Sequence, residues 1–118
     1  MRTLRKVVYP RDGIRVNTVN PGLVDTRMTS NIIASFRAAK QAICTPEDVA
    51  KVILGIEVSE GMNGKGVYVE GGRGWEFEEG LDKMMPQWLG EEPTQRLREA
   101  LKVVGSVSLA AAPTPTQS

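Results

Sequence analysis

The spacing of apolar positions changes several times along the chain, and each change predicts an element. In "MRTLRKVV" Met1, Leu4 and Val8 fall at helical spacing, with Arg2, Arg5 and Lys6 on the opposite side, so this stretch reads as the end of a helix. "YPRDG" breaks it through Pro10 and an Asp12-Gly13 turn. "IRVNTV" is rich in β-branched residues, interrupted only by Arg15 and Asn17, and reads as a strand that Pro21-Gly22 brings to an end. Met28, Ile32, Phe36, Ala39 and Ile43 then recur in steps of three and four, one face of a helix or of two short helices.

"TPEDVAKVILGIE" is the clearest element. Thr45 is the expected N-cap, Pro46 fits the first helical position, and Asp48 completes a capping box. Val49, Val52, Ile53 and Ile56 form its expected buried stripe. "EGMNGKG" is a glycine-rich turn, and "VYVE" a short strand that Gly71-Gly72 ends. "RGWEFEEGLDKMMPQWLGEEP" reads as irregular. "TQRLREALKVVG" is a last helix with Leu97, Leu101 and Val104 on one face and Gly105 as the expected C-cap. The stretch from Ser106 lacks a core pattern and reads as a mobile tail.

Helix, strand, helices, strand, helix is an α/β order, with parallel strands joined by a right-handed crossover. Parallel strands are normally buried on both faces of a sheet of roughly four to six strands. Two predicted strands cannot supply that sheet, so the chain reads as part of a domain. Either more chain or a partner completes it.

Bulk properties narrow the function. The chain has 118 residues, 15 basic against 14 acidic, and a net charge of +1. That balance gives no electrostatic case for nucleic acid or an anionic membrane as main partner. No apolar run is long enough to span a bilayer, and the N-terminus lacks the apolar core of a secretory signal. Histidine is absent, which removes Ser-His-Asp and Cys-His nucleophiles and histidine-ligated metals. The single cysteine, Cys44, allows no internal disulfide, reads as inert, and fits a reducing, cytoplasmic setting. The acids Glu76, Glu78, Glu79 and Asp82 match no metal-ligand spacing and read as a solvated face, as do Arg2, Arg5 and Lys6. Trp75, Phe77 and Trp88 read as packing under the C-terminal segment.

"NPGLVDT", residues 20–26, is the remaining candidate for chemistry. In open α/β sheets ligands sit beyond the carboxyl ends of strands, where Pro21-Gly22 falls. Pro21 stiffens the backbone and stops the ladder. Gly22 lets backbone pass close to a ligand. Backbone groups around Leu23 and Val24 are then free to bond a planar amide, and Thr26 offers a hydroxyl to an amide or phosphate oxygen. A plain strand, turn and helix cap explains the same residues.

"GIRVNTVNPGLVDTRM" resembles the late strand and Pro-Gly turn of short-chain dehydrogenase/reductases at Arg15, Val16, Asn17, Pro21, Gly22, Val24 and Thr26. "TPEDVAKVILGI" is similar to the family's next helix. "GKGVYVEGG" is similar to its last core strand, with Val69-Glu70-Gly71-Gly72 where Val-Asp-Gly-Gly is usual. The resemblance covers the chain up to about Gly72. The stretch from Arg73 resembles fungal prostaglandin-dehydrogenase-like members. The resemblance implies the C-terminal part, residues 1–72, of a Rossmann-type doubly wound parallel sheet, an extension over 73–105 and a disordered tail over 106–118. It also implies an oxidoreductase using NAD or NADP on a small alcohol or carbonyl, as in fungal secondary metabolism. Pro21, Gly22, Val24 and Thr26 would be cofactor-binding residues, with Val24 backbone on the nicotinamide carboxamide. Met28 to Ile43 would be a lid over the site.

Two family features are missing from these residues. There is no G-x-G-x-x-G: Val69 stands where the third glycine after Gly64 and Gly66 would fall. There is no Tyr-x-x-x-Lys: Tyr9 is followed four residues later by Gly13, and Tyr68 by Gly72. In the family that tyrosine exchanges the proton while the lysine lowers its pKa. No catalytic or metal-binding residue is therefore assigned, and the chain alone is expected to be inactive. The alternative readings are a truncated reading frame or a non-catalytic module. Such a module would pair with a full-length relative or a second copy, through Val67 to Glu70 and Pro46 to Glu57.

Overall fold

The computed structural model describes residues 2–110, with side chains to residue 106. In chain order it has α1 (Leu4–Asp12), β1 (Thr18–Pro21), a 3-10 turn (Arg27–Thr29), α2 (Ser30–Ala38) and α3 (Pro46–Val58). Then follow β2 (Gly66–Glu70), β3 (Arg73–Glu76), α4 (Glu78–Lys83), α5 (Met85–Leu89) and α6 (Glu91–Ala110). The α/β order holds. The sheet has three strands in the order β1-β2-β3, parallel between β1 and β2 and antiparallel between β2 and β3.

β3 is a strand where an irregular segment was expected. Gly71 and Gly72 both take positive φ, 54° and 81°, the conformation a two-residue hairpin requires and glycine adopts at least cost. Gly71-Gly72 thus ends β2 by folding the chain back on it. This overturns the expectation that β2 offers a free edge for pairing: β1 occupies one side of it and β3 the other. The free parallel edge belongs to β1. Thr18 and Gly22 donate their N–H groups to the carbonyls of Lys65 and Val69 at 2.9 and 2.8 Å. In a parallel ladder alternate residues bond to the same neighbour, so Val19 and Pro21 face the free edge.

Four expected boundaries move. α1 runs through Pro10 and stops at Gly13, whose N–H reaches the carbonyl of Tyr9 at 2.9 Å from a left-handed φ of 69°. β1 starts at Thr18 and includes Pro21, because the missing proline N–H lies on the free edge and costs no bond to β2. α2 ends at Ala38, leaving Ile43 outside the helix, and within it only Ile33 is buried. α6 begins at Glu91 and passes Gly105, which is therefore no C-cap; the helix continues to Ala110. The rest of the expected tail, 111–118, lies outside the described residues.

α3 follows its sequence closely. Thr45 Oγ1 accepts the Asp48 N–H at 3.1 Å, and Asp48 Oδ2 accepts the Thr45 N–H at 2.8 Å. The Thr45 backbone N–H, with its hydroxyl, holds the Asp48 carboxyl below the usual carboxylate range. Val49, Val52 and Ile56 pack with Val19, Val24 and Met62 around buried Cys44, Val67 and Val69. Ile53 does not join them: it is 49 % exposed, and Leu54 and Val58 are exposed further along the same helix.

A second packing region joins α1, α5 and α6 around buried Val7, Met85 and Thr94. Glu78 is buried at the start of α4 and is paired with Arg2, with Arg5 3.8 Å away. Glu76 accepts the N–H groups of Gly66, Glu78 and Glu79 at 3.2, 2.8 and 3.2 Å, which caps α4. Glu78, Arg2 and Arg5 are thus structural partners and not the solvated faces expected of them, whereas Glu76, Glu79 and Lys6 are exposed as expected. Phe77 packs over Gly66, whose missing Cβ would lie 2.7 Å from the ring. Trp75 and Trp88 are 42 % and 53 % exposed, so they cover no core. Trp75 lies beside Tyr68 and under the Arg73 guanidinium.

Candidate functional site

The strand approach to the candidate site is held from inside the chain. Arg15, expected as a polar break in a strand, turns its guanidinium onto the end of α3. It donates to the carbonyls of Ile56, Glu57, Ser59 and Met62 at 3.1, 2.5, 2.8 and 3.1 Å. Ile56 and Glu57 lie in the last turn of α3 and Ser59 and Met62 in the loop just beyond it, so the cation meets the negative end of the helix dipole and holds the loop to it. Asn17 donates to the Met62 carbonyl and accepts the Lys65 N–H, both at 2.9 Å. Val16 N–H bonds to Asn63 Oδ1 at 3.0 Å, and Gly64 N–H to the Val16 carbonyl at 2.8 Å. Arg15, Val16 and Asn17 therefore fasten the loop between α3 and β2. That fixes the register with which β1 enters the sheet.

Beyond Pro21 the chain continues along the core. Gly22 N–H bonds to Val69. A Cβ on Gly22 would lie 3.3 Å from Tyr68 Oη and 3.5 Å from the Val69 carbonyl. The close approach that this glycine permits is to Tyr68, within the chain. The next residues pair with the start of α3: Cys44 N–H donates to the Leu23 carbonyl and Asp25 N–H to the Cys44 carbonyl, both at 2.8 Å. Leu23 and Val24 were expected to be free together, but Leu23 is used. In this parallel bridge the N–H and C=O of Val24 point to the opposite side.

The Val24 carbonyl accepts the Thr29 hydroxyl at 2.5 Å. The Val24 N–H has no hydrogen-bond partner among the described residues. Thr26 caps the 3-10 turn, with its N–H on Thr29 Oγ1 at 3.0 Å and its hydroxyl 3.3 Å from the same oxygen. The Thr26 side chain also faces the Thr29 backbone N–H, so the two threonines close a reciprocal capping box. The unpaired N–H of Val24 and the hydroxyl of Thr26 stand two residues apart in this turn, and they are the kinds of group that would meet the C=O and NH2 of a carboxamide. Pro21 is exposed, and Pro21, Gly22, Val24 and Thr26 lie along one continuous stretch of chain.

Met28 is 93 % exposed and Ile32 41 %, so the face that was expected to be buried stands open beside this turn. The exposed Asp25 carboxylate lies 3.4 Å from Arg37 and ties α2 back to the turn.

A family model described as enoyl-(acyl carrier protein) reductase, of the short-chain dehydrogenase/reductase type, matches residues 6–73. That span is more than half of the 118 residues and takes in α1, the turn, α3 and β2. The chain belongs to the short-chain dehydrogenase/reductase family. No curated protein and no solved structure matches it. The match ends where β3 begins, so residues from Gly74 onward lie outside it. Among the described residues no helix is long and apolar enough to cross a membrane.

Sequence reasoning missed Arg15 as a cap. The available signal was a long cation two residues into a strand-like run, a poor place for a charge unless something binds it. Sequence reasoning also missed Thr29, whose spacing of three from Thr26 is a capping spacing.

Proposed function

We propose that residues 21–26 are the nicotinamide half-site of an NAD- or NADP-dependent oxidoreductase acting on a small alcohol or carbonyl. The observation that carries this reading is the unpaired Val24 N–H two residues from the exposed Thr26. In this reading Val24 N–H donates to the carboxamide oxygen, and Thr26 Oγ1 accepts from the carboxamide nitrogen. Pro21 keeps the turn stiff, and Asp25–Arg37 holds the exposed α2 over the mouth as a lid. The cofactor, when bound, supplies or accepts the hydride. The chain contributes orientation of the nicotinamide plane and, through Met28 and Ile32, an apolar cover. No described side chain is assigned the proton transfer, since Tyr9 and Tyr68 lack the lysine four residues on. The chain by itself is therefore proposed to hold nicotinamide without turnover. A fungal secondary metabolite of the prostaglandin-dehydrogenase-like subgroup is the substrate class this reading favours, resting on the residues from Arg73.

The test is amide NMR of the full chain titrated with NADH, NADPH and nicotinamide mononucleotide. The expected result is saturable shifts centred on Val24 and Thr26 for all three, because only the nicotinamide half is held. Shifts elsewhere and none at Val24 would overturn the site. Turnover of a carbonyl panel above a heat-killed control would overturn the proposed inactivity.

A second reading is favoured by the free edge of β1. Beside it lies a cleft of about 320 Å3 lined by Arg15, Asn17, Val19, Ile53, Ile56 and Glu57. An added strand along Val19 would cover this apolar lining and pair the open backbone groups. In this reading the chain associates with a full-length relative, and co-purification with a longer family member is the measurement. Absence of a complex at micromolar concentrations of both would remove it.

A further inference from the structure

A trench between α1 and α6 lies apart from the turn. Its inner part holds about 210 Å3 and is lined by Met85, Leu97 and Leu101, with Arg2, Arg5 and Asp82 at its sides. Its outer part holds about 530 Å3 and is lined by Pro10, Leu101 and Gly105, with Lys102 and Ser106. Lys6, Arg98 and Leu101 line both parts, so the two are continuous.

The charges around the trench are not equally available. Arg2 and Arg5 face buried Glu78, and Arg98 donates to the Asp82 carbonyl at 2.9 Å. The ammonium groups of Lys6 and Lys102 make no hydrogen bond or ion pair among the described residues. Lys102 lines only the outer part and Lys6 the junction of the two, so positive charge lies toward the outer half of the slot, with Asp82 on the inner half. Gly105 keeps that end open. It lies inside a helix, where glycine is unfavourable, and nothing is within 4 Å of the place its Cβ would take.

We propose that this trench binds a long-chain fatty-acid carboxylate. The alkyl chain lies along Leu101, Leu97 and Met85, and the carboxylate sits between Lys6 and Lys102. An apolar slot with a few convergent polar groups at one end is the usual form of a small-molecule site. The charge at the outer end selects an anionic head. Apolar side chains and the stems of the charged ones make up most of the surface of the inner part, which favours a hydrocarbon tail over a peptide, whose backbone would need partners there.

The test is isothermal titration of the full chain with dodecanoate below its micelle concentration. Neutral dodecyl maltoside and phosphatidylglycerol vesicles are run in parallel. The expected result is saturable one-to-one binding of dodecanoate only. Lys6→Gln with Lys102→Gln weakens it by about tenfold, the scale of two half-exposed charge contacts. Gly105→Leu abolishes it by filling the trench, while helical circular dichroism is unchanged or rises. The proposal is overturned by any of four results: no saturable heat with dodecanoate, equal binding of the maltoside, binding to vesicles alone, or Gly105→Leu binding like the unaltered chain.

Discussion

Residues 15–17 and residues 21–26 lie on either side of one short strand and spend their polar groups in opposite ways. In the first group every polar side chain turns inward. Arg15 meets four carbonyls at the end of α3, and Asn17 bonds on both sides of the loop that leads to β2. In the second group Leu23 and Asp25 bond to Cys44, the Val24 carbonyl accepts the Thr29 hydroxyl, and the Val24 N–H is left outward. Both groups carry the family resemblance, yet one holds the sheet together and the other leaves a backbone N–H unused at Val24. Resemblance alone does not separate a structural motif from a binding one. The direction of the hydrogen bonds does.

The comparison breaks most readily at Arg15. Arg15→Ala removes a charged donor from four carbonyls and is expected to cost about 2–3 kcal/mol in chemical denaturation. Arg15→Lys recovers only part, since an ammonium lacks the planar fork. A loss within about 0.5 kcal/mol, the range of ordinary surface changes, would mean that the clamp is decorative. Next in size is Gly22→Ala, expected to cost about 1–2 kcal/mol by overpacking against Tyr68. Tyr68→Phe in the same chain should recover much of that, because the nearest atom is the phenolic oxygen. Failure of the recovery would return Gly22 to the ligand side of the comparison.

Thr45→Ala is expected to cost about 1 kcal/mol, as for other lost N-caps. The Asp48 end of the same box adds a pH dependence. Its folded carboxyl titrates below an unfolded aspartate, so its stabilisation is complete above the usual carboxylate range. It is lost as pH falls through that range toward the lowered folded value. Asp48→Asn should flatten this part of an acid denaturation profile, and an unchanged profile would remove the carboxylate from the account. The smallest stability effect is expected at Thr26→Val, within about 0.5 kcal/mol for an exposed position. The same change should remove the nicotinamide-dependent shift at Val24. If it instead unfolds the chain, residues 21–26 are structural like residues 15–17.

The helix after Thr45 was legible because everything that starts it is local: a cap, a proline at the first turn, an acid three residues from the cap, and an apolar stripe. The hairpin after Glu70 was legible in principle from Gly71-Gly72 but was hidden by the tryptophan and acids that follow. The role of those acids depended on partners far along the chain. Glu78 is buried because Arg2, 76 residues earlier, lies against it, and no spacing within "WEFEEG" shows that. Pro10 and Gly105 misled for the same reason. Each is a local breaker, and each sits in a helix that packing against the other carries through.

By itself the sequence determined the parallel pairing of two strands across a capped helix, the family to which they belong, and the turn that ends the first strand at Pro21-Gly22. These depend on local backbone preference and on residue order, which a linear reading contains. Only the tertiary structure decided which groups in that turn are free, which cations are already bound, and which strand edge is open. Each of those is a question of where a hydrogen bond finds its partner, and the partners of Arg15, Gly22, Val24 and Glu78 come from distant elements or from turns whose direction the fold sets.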